Sequence, residues 1–219
     1  MKEVILERGL FKSYLSFHKD KGNWVITILL ISLAYLLSFW IRLEWIDFAQ
    51  ANYKDEQGKT VYFYPEMVSK GIALPNTHDS FYFGSILQKA HAGMHEENNL
   101  IPSVLKSGMI TMLPFWLLQM FPDLTIEMLL LWLPVYVAGI VCIPIVLIGR
   151  LYGSHAWGFC AACLAGVTHS YYNRTLAGYY DTDMFSITIP AFALYFLLSA
   201  SRKRSLNFVF LAAVTLYLY

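Results

Sequence analysis

Gly108-Met109-Ile110-Thr111-Met112-Leu113-Pro114-Phe115-Trp116-Leu117-Leu118-Gln119-Met120-Phe121 is the stretch on which the topology of this chain turns. It is apolar enough for lipid, but at about fourteen residues it falls short of the roughly 20 that a helix needs to cross a hydrocarbon core about 30 Å thick. Pro114 interrupts it and Lys106 precedes it. These features predict a helix that lies on the membrane interface or dips into it.

On either side lie runs of near-membrane length: Trp24 to Ile41, Met128 to Ile148, Ala156 to Tyr172, Met184 to Ala200, and a fifth over 207–219. With 57% hydrophobic and 14% charged residues, the chain is far more apolar than a soluble domain, which carries about 25% charged residues. It belongs in a bilayer as an all-α polytopic membrane protein. A net charge of +1 offers no field for nucleic acid. If residues 108–121 do not cross, Arg150 and Arg202-Lys203-Arg204 share the side of the N-terminal segment 1–23, which holds Lys2, Arg8, Lys12, Lys19 and Lys21. Basic residues favour the cytoplasmic side, so the N-terminus is expected there. Were the stretch a true span, both basic turns would face outward. Ser38-Phe39-Trp40 offers no small-x-small cleavage site, so the first run is read as an uncleaved span. The expected organisation is therefore a cytoplasmic segment 1–23 and a membrane domain 24–219 with spans at about 24–41, 128–148, 156–172, 184–200 and 207–219. The last of these is cut short, as in the front piece of a longer protein.

Residues 42–127 then form one long external loop with ten acidic and six basic side chains. Glu44 to Pro75 shows no sustained period and reads as loop. From Asp79 to His95, Phe81, Phe83, Ile86, Leu87 and Ala90 recur at helical spacing, which predicts a half-buried helix starting near Asp79. His91 and His95, at i and i+4, could bind zinc. Ala92 stands where a zinc peptidase has its glutamate, so a solvated face is preferred. Cys142, Cys160 and Cys163 all fall inside apolar runs and are read as packing residues, because reactive thiols need polar or electropositive surroundings.

Two of the apolar runs are joined by a short turn containing Asn173-Arg174-Thr175-Leu176-Ala177-Gly178-Tyr179-Tyr180-Asp181-Thr182-Asp183. Charges beside hydrocarbon are costly, which marks the cluster as a candidate site on the same outer side as Asp79. Asp181 and Asp183, at i and i+2, can hold one divalent cation. They can equally cap the helix that follows, where acids favour the dipole. Arg174 can pair with the acids, orient them or hold a phosphate. Tyr171, Tyr172, Tyr179 and Tyr180 read as the aromatic belt of the flanking spans. Asn173-Arg174-Thr175 fits the N-glycosylation acceptor pattern but sits at the mouth of a span, out of easy reach of a modifying enzyme.

At Asp79, Arg174, Asp181 and Asp183 the sequence resembles the catalytic subunit family of oligosaccharyltransferases, in particular its bacterial single-subunit form. The likeness is densest from Ser170 to Met184, weaker at Thr77-His78-Asp79, and covers the N-terminal third of such an enzyme. It implies a GT-C-type glycosyltransferase membrane domain in the bacterial inner membrane, with its site facing the periplasm and a C-terminal periplasmic domain that this chain does not include. The implied reaction moves an oligosaccharide from a polyprenyl-pyrophosphate carrier to the amide nitrogen of asparagine in Asn-x-Ser/Thr, acting as a single subunit and dependent on Mn²⁺ or Mg²⁺. Asp79, Asp181 and Asp183 are implied as metal ligands, with Asp79 also acting on the acceptor amide and Arg174 orienting the carboxylates. Thr77 stands where the family often has an acid. A glutamate on a later external loop and a Trp-Trp-Asp motif, both needed by the family, are not in this chain, so the fragment is expected to be inactive alone. Two rival readings are a glycosyltransferase using a lipid-monophosphate sugar and an ion-coupled transporter. The Tyr-Tyr-Asp-Thr-Asp loop speaks against the first, and the placement of the acids outside the spans speaks against the second.

Overall fold

The computed structural model describes residues 24–43, 46, 53–54, 60–62, 68–69, 72–73, 75, 77–94 and 102–218. The N-terminal segment 1–23, most of 44–76, and His95 lie outside the described residues.

Helix α1 (Trp24–Ile41) inverts the pattern of a soluble helix. It buries Thr27, Ala34 and Ser38 and exposes Trp24, Val25, Ile26, Ile28, Leu29, Leu33, Leu36 and Leu37. The buried positions fall on one helical face and are small or hydroxylated, which suits a helix whose large side chains meet lipid. Two antiparallel ladders follow, β1 (Tyr53–Lys54) with β2 (Thr60–Tyr62) and β3 (Val68–Ser69) with β4 (Ile72–Ala73). They lie in the stretch expected to be loop, and strands of two or three residues are too short to print an alternating pattern in sequence.

Helix α2 (His78–His91) starts at Thr77, whose side chain accepts the Ser80 N–H at 3.1 Å. It ends four residues earlier than its apolar spacing suggested, because Gly93 turns the chain into the left-handed region at φ 72°. The pairing of His91 with His95 falls on a residue outside the described ones.

Helix α3 (Met109–Met120) has 12 residues, about 18 Å at 1.5 Å per residue, shorter than a hydrocarbon core of about 30 Å. Pro114 does not break it; the helix runs through the proline, which is buried. Helices α4 (Ile126–Gly139) and α5 (Cys142–Leu151) join into one 26-residue membrane-length rod. It forms the centre of the fold, with Leu129, Leu130, Leu131, Leu133, Val135, Val137 and Ala138 buried. The run read as a single span over 156–172 is two helices, α6 (His155–Val167) and α7 (His169–Asn173), meeting at Thr168. Helix α8 (Asp183–Ser186) leads into α9 (Thr188–Lys203), and α10 (Leu206–Tyr217) packs back on α9.

Helices α5 and α6 approach each other closely. A Cβ built on Gly149 would stand 2.3 Å from the Gly158 Cα, so no residue larger than glycine fits unless the helices part. Gly158, Ala162 and Gly166 form the small face of α6, and α1 packs across it with Ser38 against Gly166. Cys142 is buried in this core, where its sulfur approaches the Ala162 carbonyl at 3.7 Å, in keeping with a packing role. Among the described residues, Trp24–Ile41, Ile126–Leu151 and Asp183–Lys203 are long and apolar enough to cross a membrane, and the protein is a multi-pass membrane protein.

Candidate functional site

The turn between α7 and α8 cannot hold its shape by helical bonding, so its conformation is set by what it touches. Ala177 N–H donates to the Arg42 carbonyl at 3.1 Å and Gly178 N–H to Leu131 in α4 at 2.9 Å. Gly178 has φ 83°, a conformation that a side chain would strain. Each charged residue of the candidate site sits next to a fully buried residue. Asp79 precedes Ser80, Thr175 follows Arg174, Tyr180 precedes Asp181 and Met184 follows Asp183, and all four neighbours are 0% exposed. Buried anchors thus stand beside each charge, of which Asp79 and Arg174 are exposed and Asp181 is itself buried.

Three of the anchors tie distant segments together. The Ser80 hydroxyl accepts the Tyr180 N–H at 2.9 Å and reaches the Tyr180 carbonyl at 3.1 Å, while Thr77 Oγ1 lies 2.6 Å away. This seats the start of α2, and with it Asp79, against the residue that precedes Asp181. Proline has no N–H, so Pro114 leaves the Ile110 carbonyl of α3 without its intrahelical donor. The Tyr180 hydroxyl donates to that carbonyl, which fixes Tyr180 from below. Burial pushes the Tyr180 phenol well above its usual range, so it remains a donor. The Met184 segment is met by the Tyr171 hydroxyl, which contacts Ala138 C=O and Thr188 Oγ1 at 3.1 Å each and Met184 C=O at 3.5 Å.

On this frame Arg174 reaches both acids of the pair. Its Nε is 2.7 Å from Asp183 Oδ2 and its Nη2 is 3.6 Å from Asp181 Oδ2. The Arg174 pKa is raised, first by the Tyr179 hydroxyl beside it and then by Asp183. Asp181 turns its other oxygen to the Thr182 N–H at 2.5 Å and the Thr182 hydroxyl at 3.1 Å. Asp183 opens α8 and lies in its first turn, where an acid suits the dipole, so part of the capping reading is realised. Its carboxylate interacts with Asp181, with Arg174 and, last in strength, with Asp79.

The structure therefore brings Arg174, Asp181 and Asp183 together and seats the Asp79 helix on the same turn, with Asp79 itself exposed. It does not gather three carboxylates into one set: among the described residues no three His, Cys, Asp or Glu side chains stand close enough to share an ion. Like charges repel, and here the guanidinium of Arg174 is the counter-charge between the two nearest acids. The donor set nonetheless suits a hard divalent cation. Both groups supply carboxylate oxygens, and Asp183 Oδ2 is buried with no hydrogen bond, its approach to Arg174 being an ion pair without an aligned N–H. The pattern Asn173-Arg174-Thr175 is no open acceptor, because Thr175 is fully buried and its hydroxyl is bonded to Tyr171 and Arg42.

Sequence reasoning did not single out Arg42 or Ser80, and it assigned Tyr171 and Tyr180 to the interfacial belt. Arg42 carried a usable signal as a charge directly abutting an apolar run. Ser80 carried none.

Residues 104–219, just over half of the chain, match the family described as "Oligosaccharyl transferase STT3, N-terminal". The chain belongs to that family, and its helical membrane architecture is of the GT-C type. Two curated relatives, each named undecaprenyl-diphosphooligosaccharide–protein glycotransferase and each from a strain of Campylobacter jejuni, are 32% identical to it over 198 residues. The match covers 90% of this chain and 25% of each relative, so the chain spans about a quarter of the length of the curated relatives it matches.

Proposed function

We propose that this chain is the N-terminal membrane part of an oligosaccharyltransferase that moves an oligosaccharide from a polyprenyl-pyrophosphate carrier to the side-chain nitrogen of asparagine in Asn-x-Ser/Thr. The observation that carries the reading is the turn in which Arg174 meets Asp181 and Asp183 while Ser80 holds the Asp79 helix against Tyr180. The two named relatives support the donor class.

A carboxamide nitrogen is a poor nucleophile because its lone pair is shared with the carbonyl, the resonance that gives a peptide bond a rotation barrier of about 18–20 kcal/mol. Asp79 presents an exposed carboxylate at the rim of the turn, able to accept the N–H bonds of an acceptor amide and draw charge onto nitrogen. In the transfer, nitrogen bonds to the anomeric carbon, the bond from that carbon to the pyrophosphate oxygen breaks, and a carboxylate takes the amide proton. Asp181 and Asp183 are the residues that would hold Mn²⁺ or Mg²⁺, which as a Lewis acid would offset charge on the leaving pyrophosphate. Arg174 orients the two acids. The apolar faces of α9 and α10 suit the polyprenyl tail.

The proposed setting is the bacterial inner membrane with the N-terminus in the cytoplasm and the 173–183 turn in the periplasm. Single cysteines placed between Leu124 and Glu127 are expected to react with an impermeant thiol reagent added from the periplasm, and one at Ser154 to be protected. The reverse pattern would overturn the assignment of sides. The function itself is tested by incubating the protein in its full reading frame with a polyprenyl-pyrophosphate oligosaccharide and an Asn-x-Ser/Thr peptide. Glycopeptide is expected from the asparagine peptide and none from its glutamine counterpart. Absence of product from a folded preparation with Mn²⁺ would sink the reading.

A further inference from the structure

Arg42 follows α1 and has no exposed surface, although it carries a guanidinium. Its Nη1 donates to the Ser38 carbonyl and hydroxyl at 2.7 Å each and to the Gly166 carbonyl at 2.8 Å. Its Nε donates to Thr175 Oγ1 at 2.9 Å, and the guanidinium carbon lies 5.1 Å from the centre of the Tyr171 ring. None of these acceptors is a carboxylate, and Nη2 has no hydrogen-bond acceptor among the described residues. Burial lowers the Arg42 pKa to about 10, which leaves it cationic at neutral pH.

Among the described residues its partners are all neutral; a buried charge so placed costs stability, and an apolar side chain of similar size would fill the space without that cost. Packing therefore does not account for arginine here. What it touches does. Tyr171 and Thr175 bracket Arg174, and the Arg42 carbonyl takes the Ala177 N–H at 3.1 Å, so one residue grips the 171–177 segment at three points. The Thr175 hydroxyl in turn donates a hydrogen bond to the Tyr171 carbonyl at 2.7 Å, which ties the two ends of the gripped segment together. The other end of the grip, at Ser38 and Gly166, is the close packing of α1 on α6, a rigid base.

We propose that Arg42 is a positioning residue of the site: its buried guanidinium fixes the 171–177 turn so that Arg174 faces Asp181 and Asp183. The catalytic part of this inference rests on the oligosaccharyl-transfer reading. The positional part does not.

The test uses Arg42→Gln and Thr175→Val in the full reading frame, the second removing the Nε acceptor at nearly unchanged volume. Hydrogen exchange over 173–182 reads the turn without substrate, and kcat is read separately from KM for the lipid-linked donor. Arg42→Gln is expected to speed exchange of the 174–178 amides about tenfold or more while α1, α6 and α9 exchange as in the wild type. The same variant is expected to lower kcat about tenfold or more with donor KM within about twofold, since misplacing a catalytic group acts on the bound complex. Thr175→Val should move both readings in the same direction by less. It also carries the test if Arg42→Gln does not fold. Unchanged exchange over 174–178 in a folded variant, or a rise shared equally by α1 and α6, would overturn the proposal. If wild-type protein makes no glycopeptide, the transfer reading fails, and the exchange result still decides whether Arg42 sets the turn.

Discussion

Asp183→Asn is expected to cut the proposed oligosaccharide transfer by roughly 10²- to 10³-fold, the scale seen when one preorganised group that stabilises developing charge is removed. The substitution keeps the shape and removes the charge that stands 2.7 Å from Arg174 Nε. Arg174 would keep Asp181 at 3.6 Å and the Tyr179 hydroxyl, but would lose its nearest carboxylate charge. Stability should change little. The Arg174 side chain is 54% exposed, and ion pairs with such an exposed partner contribute about 0–1 kcal/mol. In the unsubstituted protein, chelation should abolish transfer and Mn²⁺ should restore it, whereas the asparagine variant should need more Mn²⁺ for half-maximal rate. The measurement is initial glycopeptide formation against free Mn²⁺, with a thermal melt alongside. Normal turnover of the variant after chelation would leave Asp183 as no more than a first-turn acid of α8.

The parts of the fold legible in the sequence are those that depend on length and local chemistry. The shortness of the 108–121 stretch was readable because rise per residue is fixed, and α3 has 12 residues. The Arg174 and Asp-x-Asp cluster was readable because lipid makes charges conspicuous. What stayed hidden depends on pairs of groups far apart in the chain. Pro114 could be read as an interruption, but not as the reason that Ile110 has a carbonyl free for Tyr180, because that bond links positions 70 apart. Ser80 bonds across 100 residues and shows no pattern in sequence. The break at Thr168 was missed although the polar run Thr168-His169-Ser170 interrupts the apolar stretch there; the backbone leaves the helical region with ψ 121°. The end of α2 was missed for the opposite reason. Gly93 was visible, but the helical spacing of apolar residues up to Ala90 encouraged a reading that carried past it.

Asp79→Asn separates a chemical role from a structural one most cleanly, because among the described residues the Asp79 carboxylate makes no hydrogen bond or ion pair. Its side chain is exposed in the first turn of α2, and the turn itself is capped by Thr77 and latched through Ser80. Asparagine at that position keeps the size and costs only the favourable charge–dipole interaction, about 0.3–1 kcal/mol at an exposed helix start. The fold and the hydrogen exchange of 173–182 should therefore match the wild type. If Asp79 accepts the N–H bonds of the acceptor amide and draws charge onto its nitrogen, losing the carboxylate should lower kcat by roughly 10²- to 10⁴-fold, the range for positioned general bases. Binding of the acceptor peptide should change by no more than a few fold, since an asparagine carbonyl can still accept one amide hydrogen. The measurement is a kcat and peptide Kd pair on the same preparation. A variant that keeps its kcat, or one that loses peptide affinity in proportion to rate, would move the amide-activating role away from Asp79 and leave it as the charge that starts a helix.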